Sequence, residues 1–130
     1  MTSRTITRSI ETDLGPDTIL NLLVDPRHLP EWAPVFADTA EPTSDHHYRV
    51  TKDSNSFDIE VAISRPVGTV DYLREMGAGK RGGAHIRVFP RPGDGSVVVM
   101  TVPLAPGSDP QNATAILEQE LSALVRLSGK

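Results

Sequence analysis

The stretch SDPQNATAILEQELSALVRLSG, residues 108–129, decides the fold. Asp109 is placed to cap free backbone amides, Pro110 suits a first helical position, and Gly129 is the residue type favoured just past a helix end. The spacing predicts a helix from Asp109 to about Leu127. At about 100° per residue, Ala113, Ile116, Leu117, Leu121, Leu124 and Leu127 form one broad apolar face. Gln111, Thr114, Glu118, Ser122 and Arg126 fall mostly on the other. Glu120 breaks the pattern by landing in the middle of the apolar face. A helix with one wide apolar face needs a partner layer, and the preceding sequence supplies strands.

Those strands read by period two. Ser56 to Arg65 is the clearest: Phe57, Ile59, Val61 and Ile63 alternate with Asp58, Glu60, Ala62 and Ser64. His46 to Lys52 sets Tyr48 and Val50 against His47, Arg49 and Thr51. Thr69 to Glu75 and Ala84 to Pro90 follow, separated by a glycine-rich connection from Gly77 to Gly83. Val97 to Val102 is apolar on both faces, the pattern of a covered central strand. Arg4 to Glu11 is a strand with mixed faces, since Arg4 and Arg8 share the parity of Ile6 and Ile10. Ala37 to Pro42 is a weak strand. The connections are too short for parallel crossovers, so the strands form antiparallel hairpins.

Two short helices are expected after the first strand. Gly15-Pro16-Asp17 starts one, with Ile19, Leu20, Leu22 and Leu23 on its apolar face. Asp25-Pro26 ends it, because a residue before proline resists the helical region. Asp25 is also placed to cap a second short helix; Leu29-Pro30-Glu31-Trp32 restarts the turn, and Trp32, Val35 and Phe36 supply its bulky apolar surface. The expectation is α+β: an antiparallel sheet with helices on one face, in a single domain spanning 1–130.

Composition excludes several functions. The chain has 130 residues, of which 38% are hydrophobic, with 10 Gly and 11 Pro; that is one limited core with many turns. The formal charge of −4, with scattered basic residues, argues against nucleic acid. No apolar run approaches the roughly 20 residues that span a bilayer, and Met1 to Arg8 lacks the apolar core of a signal peptide. Without cysteine there is no disulfide, thiol nucleophile or thiolate metal site. A cytoplasmic protein with no membrane partner is the expectation.

The element order, with DPRHLPEW at 25–32, Val88-Phe89-Pro90 before Asp94-Gly95-Ser96, and Glu118 to Leu121 in the last helix, resembles the START-like superfamily. That group is also called SRPBCC or polyketide cyclase/dehydrase-like, with the helix-grip fold of the birch pollen allergen. The resemblance covers essentially the whole chain. It implies a seven-stranded antiparallel sheet wrapped around the C-terminal helix, with a cavity between them that takes a small hydrophobic molecule. Some members bind such molecules and others are cyclases or dehydratases. The group has no universal catalytic motif, so no catalytic residue transfers.

The expected lining combines Trp32, Phe36, Tyr48 and Ile59 with Val61, Tyr72, Arg87 and Met100, and with Leu117 and Leu124 of the last helix. Glu120 and His85 are the candidate acid–base pair. A carboxylate among leucines costs several kcal/mol if charged and unpaired, so it must pair, protonate or sit at a cavity mouth. The structural alternative is a pair with an arginine or backbone amide at the rim. His85 and Arg87 depend on register: in one, they face the pocket; in the other, Ala84, Ile86 and Val88 do, and the apolar set makes the better inner face.

His46 and His47 point to opposite sides of a strand and cannot easily share an ion, so no metal and no cofactor is expected. The glycine loop at 77–83 feeds a strand rather than a helix, which argues against a phosphate loop; it reads as a hairpin connection or a lid. A ligand-binding protein is the preferred reading, with a cyclase or dehydratase-like enzyme as alternative. A third reading is an exposed sheet edge that pairs with a partner or a second copy, giving a homodimer.

Overall fold

Period-two alternation becomes one antiparallel sheet of seven strands in the computed structural model, which describes residues 4–75 and 77–130. The leader reading at Met1 to Ser3 lies outside the described residues. The strands are β1 (Thr5–Thr12), β2 (Thr39–Ser44), β3 (His47–Lys52), β4 (Asn55–Ser64), β5 (Thr69–Glu75), β6 (Arg81–Pro90) and β7 (Ser96–Pro103). They lie in the order β1-β7-β6-β5-β4-β3-β2. Every neighbouring pair is antiparallel. Between β1 and β2 come α1 (Pro16–Leu23), a 3-10 turn (Pro26–His28) and α2 (Leu29–Trp32); α3 (Pro110–Ser128) closes the chain.

Local chemistry explains the helix ends. The Asp109 carboxylate accepts from the Gln111 amide at 3.0 Å, and Asp25 accepts from the Arg27 amide at the same distance. Three contacts from the Arg27 guanidinium brace Asp25 and hold its carboxyl below the usual range. Gly129 follows α3 without adopting the left-handed conformation (φ −83°).

The helices share the inner face of the sheet. Ile19, Leu20 and Leu23 of α1 meet Leu117, Leu121 and Leu124 of α3 in one core with Val50, Val70, Ile86, Val98 and Met100. α1 packs on both α3 and β6. Burying a leucine or isoleucine here contributes about 1.5–3 kcal/mol each.

Two expectations need correction. β7 is interior to the sheet but covered on its inner face alone; Val97 and Val99 remain half-buried on the outer face. Their shelter is lateral, from Glu11 and Phe89 beside Val97 and from Ser9 and Arg87 beside Val99. The glycine connection is also shorter than its composition suggests. β6 begins at Arg81, because Arg81, Gly82 and Gly83 pair with Glu75, Arg74 and Leu73. Gly83 is required there, since a Cβ would collide with the Tyr72 carbonyl.

Candidate functional site

On α3 the residues Ala113, Ile116, Leu117 and Glu120 follow one stripe at spacings of three, one and three. That stripe roofs a cavity of about 690 Å³ between α3, α2 and the inner sheet. Leu29, Trp32, Ala33 and Phe36 form one wall. Ile59, Tyr72, Ala84, Met100 and Val102 form the floor. Arg74, Glu75 and Gly83, with the loop from Pro103 to Pro106, frame the rim. The hollow exists because α1 fills the space under the C-terminal half of α3, while the four-residue α2 is too short to fill the rest.

Seven of the residues expected at the site come together here: Trp32, Phe36, Ile59, Tyr72, Met100, Leu117 and Glu120. Val61 and Leu124 do face inward, but they belong to the packed core, 3% and 0% exposed. Tyr48 is half-buried on the inner face beside its β4 partner Ile59 and packs against the edge of the core, but it is not among the residues that line the cavity. His85 and Arg87 lie on the outer face. His85 Nδ1 is 3.1 Å and Arg87 Nη1 2.9 Å from Asp71 Oδ1. The expected pairing of either with Glu120 is corrected: the sheet stands between them. The apolar register won, with Ala84, Ile86 and Val88 inward, because it buries two aliphatic side chains completely or nearly so.

Glu120 carries the main electrostatic feature. Among the described residues it makes no ion pair and no side-chain hydrogen bond, and burial pushes its carboxyl up to about 7. It also borders a second hollow of about 490 Å³ on the outer side of α2 and α3, lined by Glu31, Val35, Gln119, Ala123 and Arg126. Trp32, Val35, Ile116 and Glu120 border both spaces, so this carboxyl stands where they meet.

Tyr72 is not free for chemistry. Its hydroxyl donates to the Leu23 carbonyl at 2.5 Å, and burial pushes the phenol far above its ordinary range. Its ring lies 6.2 Å from that of Trp32, whose indole N–H is buried with no partner among the described residues.

Two charged lining residues lie outside the expected set, Glu75 and Arg74, the latter sharing the parity of Val70 and Tyr72. Its guanidinium lies 4.0 Å above the centre of the Phe57 ring, and Phe57 in turn packs edge-on against Phe36 at 5.3 Å. No group of three His, Cys, Asp or Glu among the described residues could hold a metal ion.

No family model matches the sequence, nor does any curated protein. Solved structures do match, over nearly the whole chain. A START superfamily protein from Mycobacterium smegmatis superposes with a TM-score of 0.70 at 14% identity, covering 98% of each chain. The Zhui aromatase/cyclase from Streptomyces sp. R1128 gives 0.67 at 14%, covering 97% of this chain and 93% of its own. Ara h 8.0201, of the Bet v 1 allergen type, gives 0.61 at 14%, covering 95% and 96%. The chain thus has the START-like helix-grip fold, the architecture also called SRPBCC. At these identities the likeness establishes the fold.

Proposed function

We propose that this protein binds a small, largely apolar molecule between α3 and the sheet. The observation that carries the reading is the cavity of about 690 Å³, floored and roofed by aliphatic and aromatic side chains with few polar groups. Volume and lining both match the usual character of small-molecule sites, roughly 300–1,000 Å³ and mostly apolar. The START-type and allergen-type structures share the fold that shapes it. Thermal-shift and native mass measurements with apolar metabolites test the reading. A rise in melting temperature with a one-to-one adduct is expected. No stabilisation by any of them would reject it.

One observation favours a second reading, acid–base catalysis of the cyclase or dehydratase kind. Glu120 borders the cavity with its carboxyl near neutrality, where a general acid or base works best. A protein of the same architecture, the Zhui aromatase/cyclase, is named for a cyclase activity, which supports the reading. His85, Arg87 and Tyr48 are not available as partners, so Glu120 would act with Arg74 or alone. Turnover of a poly-β-carbonyl substrate that survives unchanged in Glu120→Gln would dismiss this role. No helix of the described residues is long and apolar enough to cross a membrane.

A further inference from the structure

Among the described residues Arg74 is the one guanidinium that the sheet's alternation places beside the cavity. Arg27, Arg49, Arg81, Arg87 and Arg91 each pair with a carboxylate. Among the described residues Arg74 pairs with none, and none of its donors meets a protein acceptor. What holds it is a ring: Phe57 beneath the guanidinium at 4.0 Å, itself braced by Phe36. A half-buried cation in apolar surroundings keeps an unmet demand for an acceptor, and the ring face satisfies only its charge, not its N–H groups.

The two carboxylates of the cavity do not answer that demand. Glu75 sits at the exposed end of β5 opposite Arg81. Glu120 projects from α3 at the cavity roof and, among the described residues, makes no ion pair or hydrogen bond with Arg74.

We infer that the ligand is an apolar molecule bearing a carboxylate, with its apolar body on Met100, Leu117 and Tyr72 and its carboxylate on Arg74. The inference rests on the binding function proposed above. A guanidinium fork donates two parallel hydrogen bonds to a carboxylate, which a hydroxyl or an ester cannot reproduce. Phe57 pre-orients the fork, so little side-chain freedom is lost on binding. Alkyl and aryl acids share this chemistry, and the volume admits either.

The test compares matched pairs by isothermal titration at about pH 6, where such acids are ionised. The pairs are dodecanoate against dodecanol and 2-naphthoate against 2-naphthylmethanol. The wild-type protein is expected to bind at least one acid about tenfold or more tightly than its alcohol, the scale of a hydrogen bond to a charged group. The pair that binds distinguishes an alkyl from an aryl source. In Arg74→Met the preference is expected to fall to about twofold or less with alcohol binding kept, and Arg74→Lys is expected to retain part of it, since charge without the fork is weaker. Arg74→Gln serves in place of the methionine variant if the latter melts early. Equal binding of acid and alcohol by the wild type would overturn the inference while leaving the cavity function intact. Loss of acid and alcohol together in a folded Arg74 variant would also overturn it, making Arg74 a wall of the cavity only. Binding of none of the four would defeat both.

Discussion

Glu120 shows how one misplaced residue writes a pH dependence into stability. Its carboxyl has an ordinary value of 4.5 when the chain is unfolded and about 7 when folded, because burial disfavours the charge. Below pH 4.5 both states hold the proton and the fold suffers no penalty. As pH rises through 7, the unfolded state has already released its proton while the folded state must ionise a poorly solvated group. Stability from this site is therefore present at low pH and lost on the way to pH 8. Glu120→Gln is expected to exceed the parent by about 1–3 kcal/mol near pH 8 and to match it near pH 4, measured by urea unfolding at both. An equal difference at both pH values would mean that the carboxyl is solvated or paired. This residue was legible in the sequence as an acid on an apolar face. Arg74 was half legible: its parity was plain, but nothing local said that the space before it is empty.

At the scale of elements, α3 is both the longest helix and the cavity roof, and its start is held by one side chain. Asp109 accepts from the Gln111 amide at 3.0 Å. Asp109→Ala is expected to cost about 1 kcal/mol, seen as a lower midpoint in urea without a change in slope. Binding of an apolar ligand should weaken as well, because Ala113 and Ile116 lie within two turns of that cap. The strands β5 and β6 carry the other element-scale lesson. Their alternation allowed two faces, and a shift of one residue would have exchanged Ile86 for His85. Pairing with β5 and β7 settled it, setting Ile86 opposite both Val70 and Met100 in the core and leaving His85 opposite Asp71 and Thr101 outside.

For the whole molecule, the contrast between filled and hollow halves makes a paired prediction. Leu124 sits where α1, α3 and the sheet meet, with no exposure. Leu124→Ala is expected to lower stability by about 2–5 kcal/mol while leaving ligand affinity unchanged in the folded protein. Ala113 faces the cavity and is only half-buried. Ala113→Leu is expected to leave stability nearly unaltered and to reduce the ligand-induced thermal shift, since it occupies space without crowding the core. Urea unfolding and thermal shift on the two variants check both halves. At the sheet's two edges, β2 carries Pro42 and a register irregularity between Pro42 and Ser44, which blunt it against further pairing. Any pairing between copies through the sheet would therefore use β1.

The sequence by itself determined the elements and, where apolar and polar residues alternate cleanly as in β4, the inward face, because periods of 2.0 and 3.6 are properties of the local backbone and need no partner to be read. Asp109, Asp25 and the prolines marked helix boundaries for the same reason: caps act within three residues. What only the tertiary structure decided is which inward residues touch one another and which look into space. Val61 and Leu124 read the same as Ile59 and Leu117 in the sequence, yet the first two are packed and the second two line a hollow. Periodicity reports the side on which a residue lies, whereas a void depends on how far α1 and α2 reach beneath α3, and that is set by packing between segments distant in the chain.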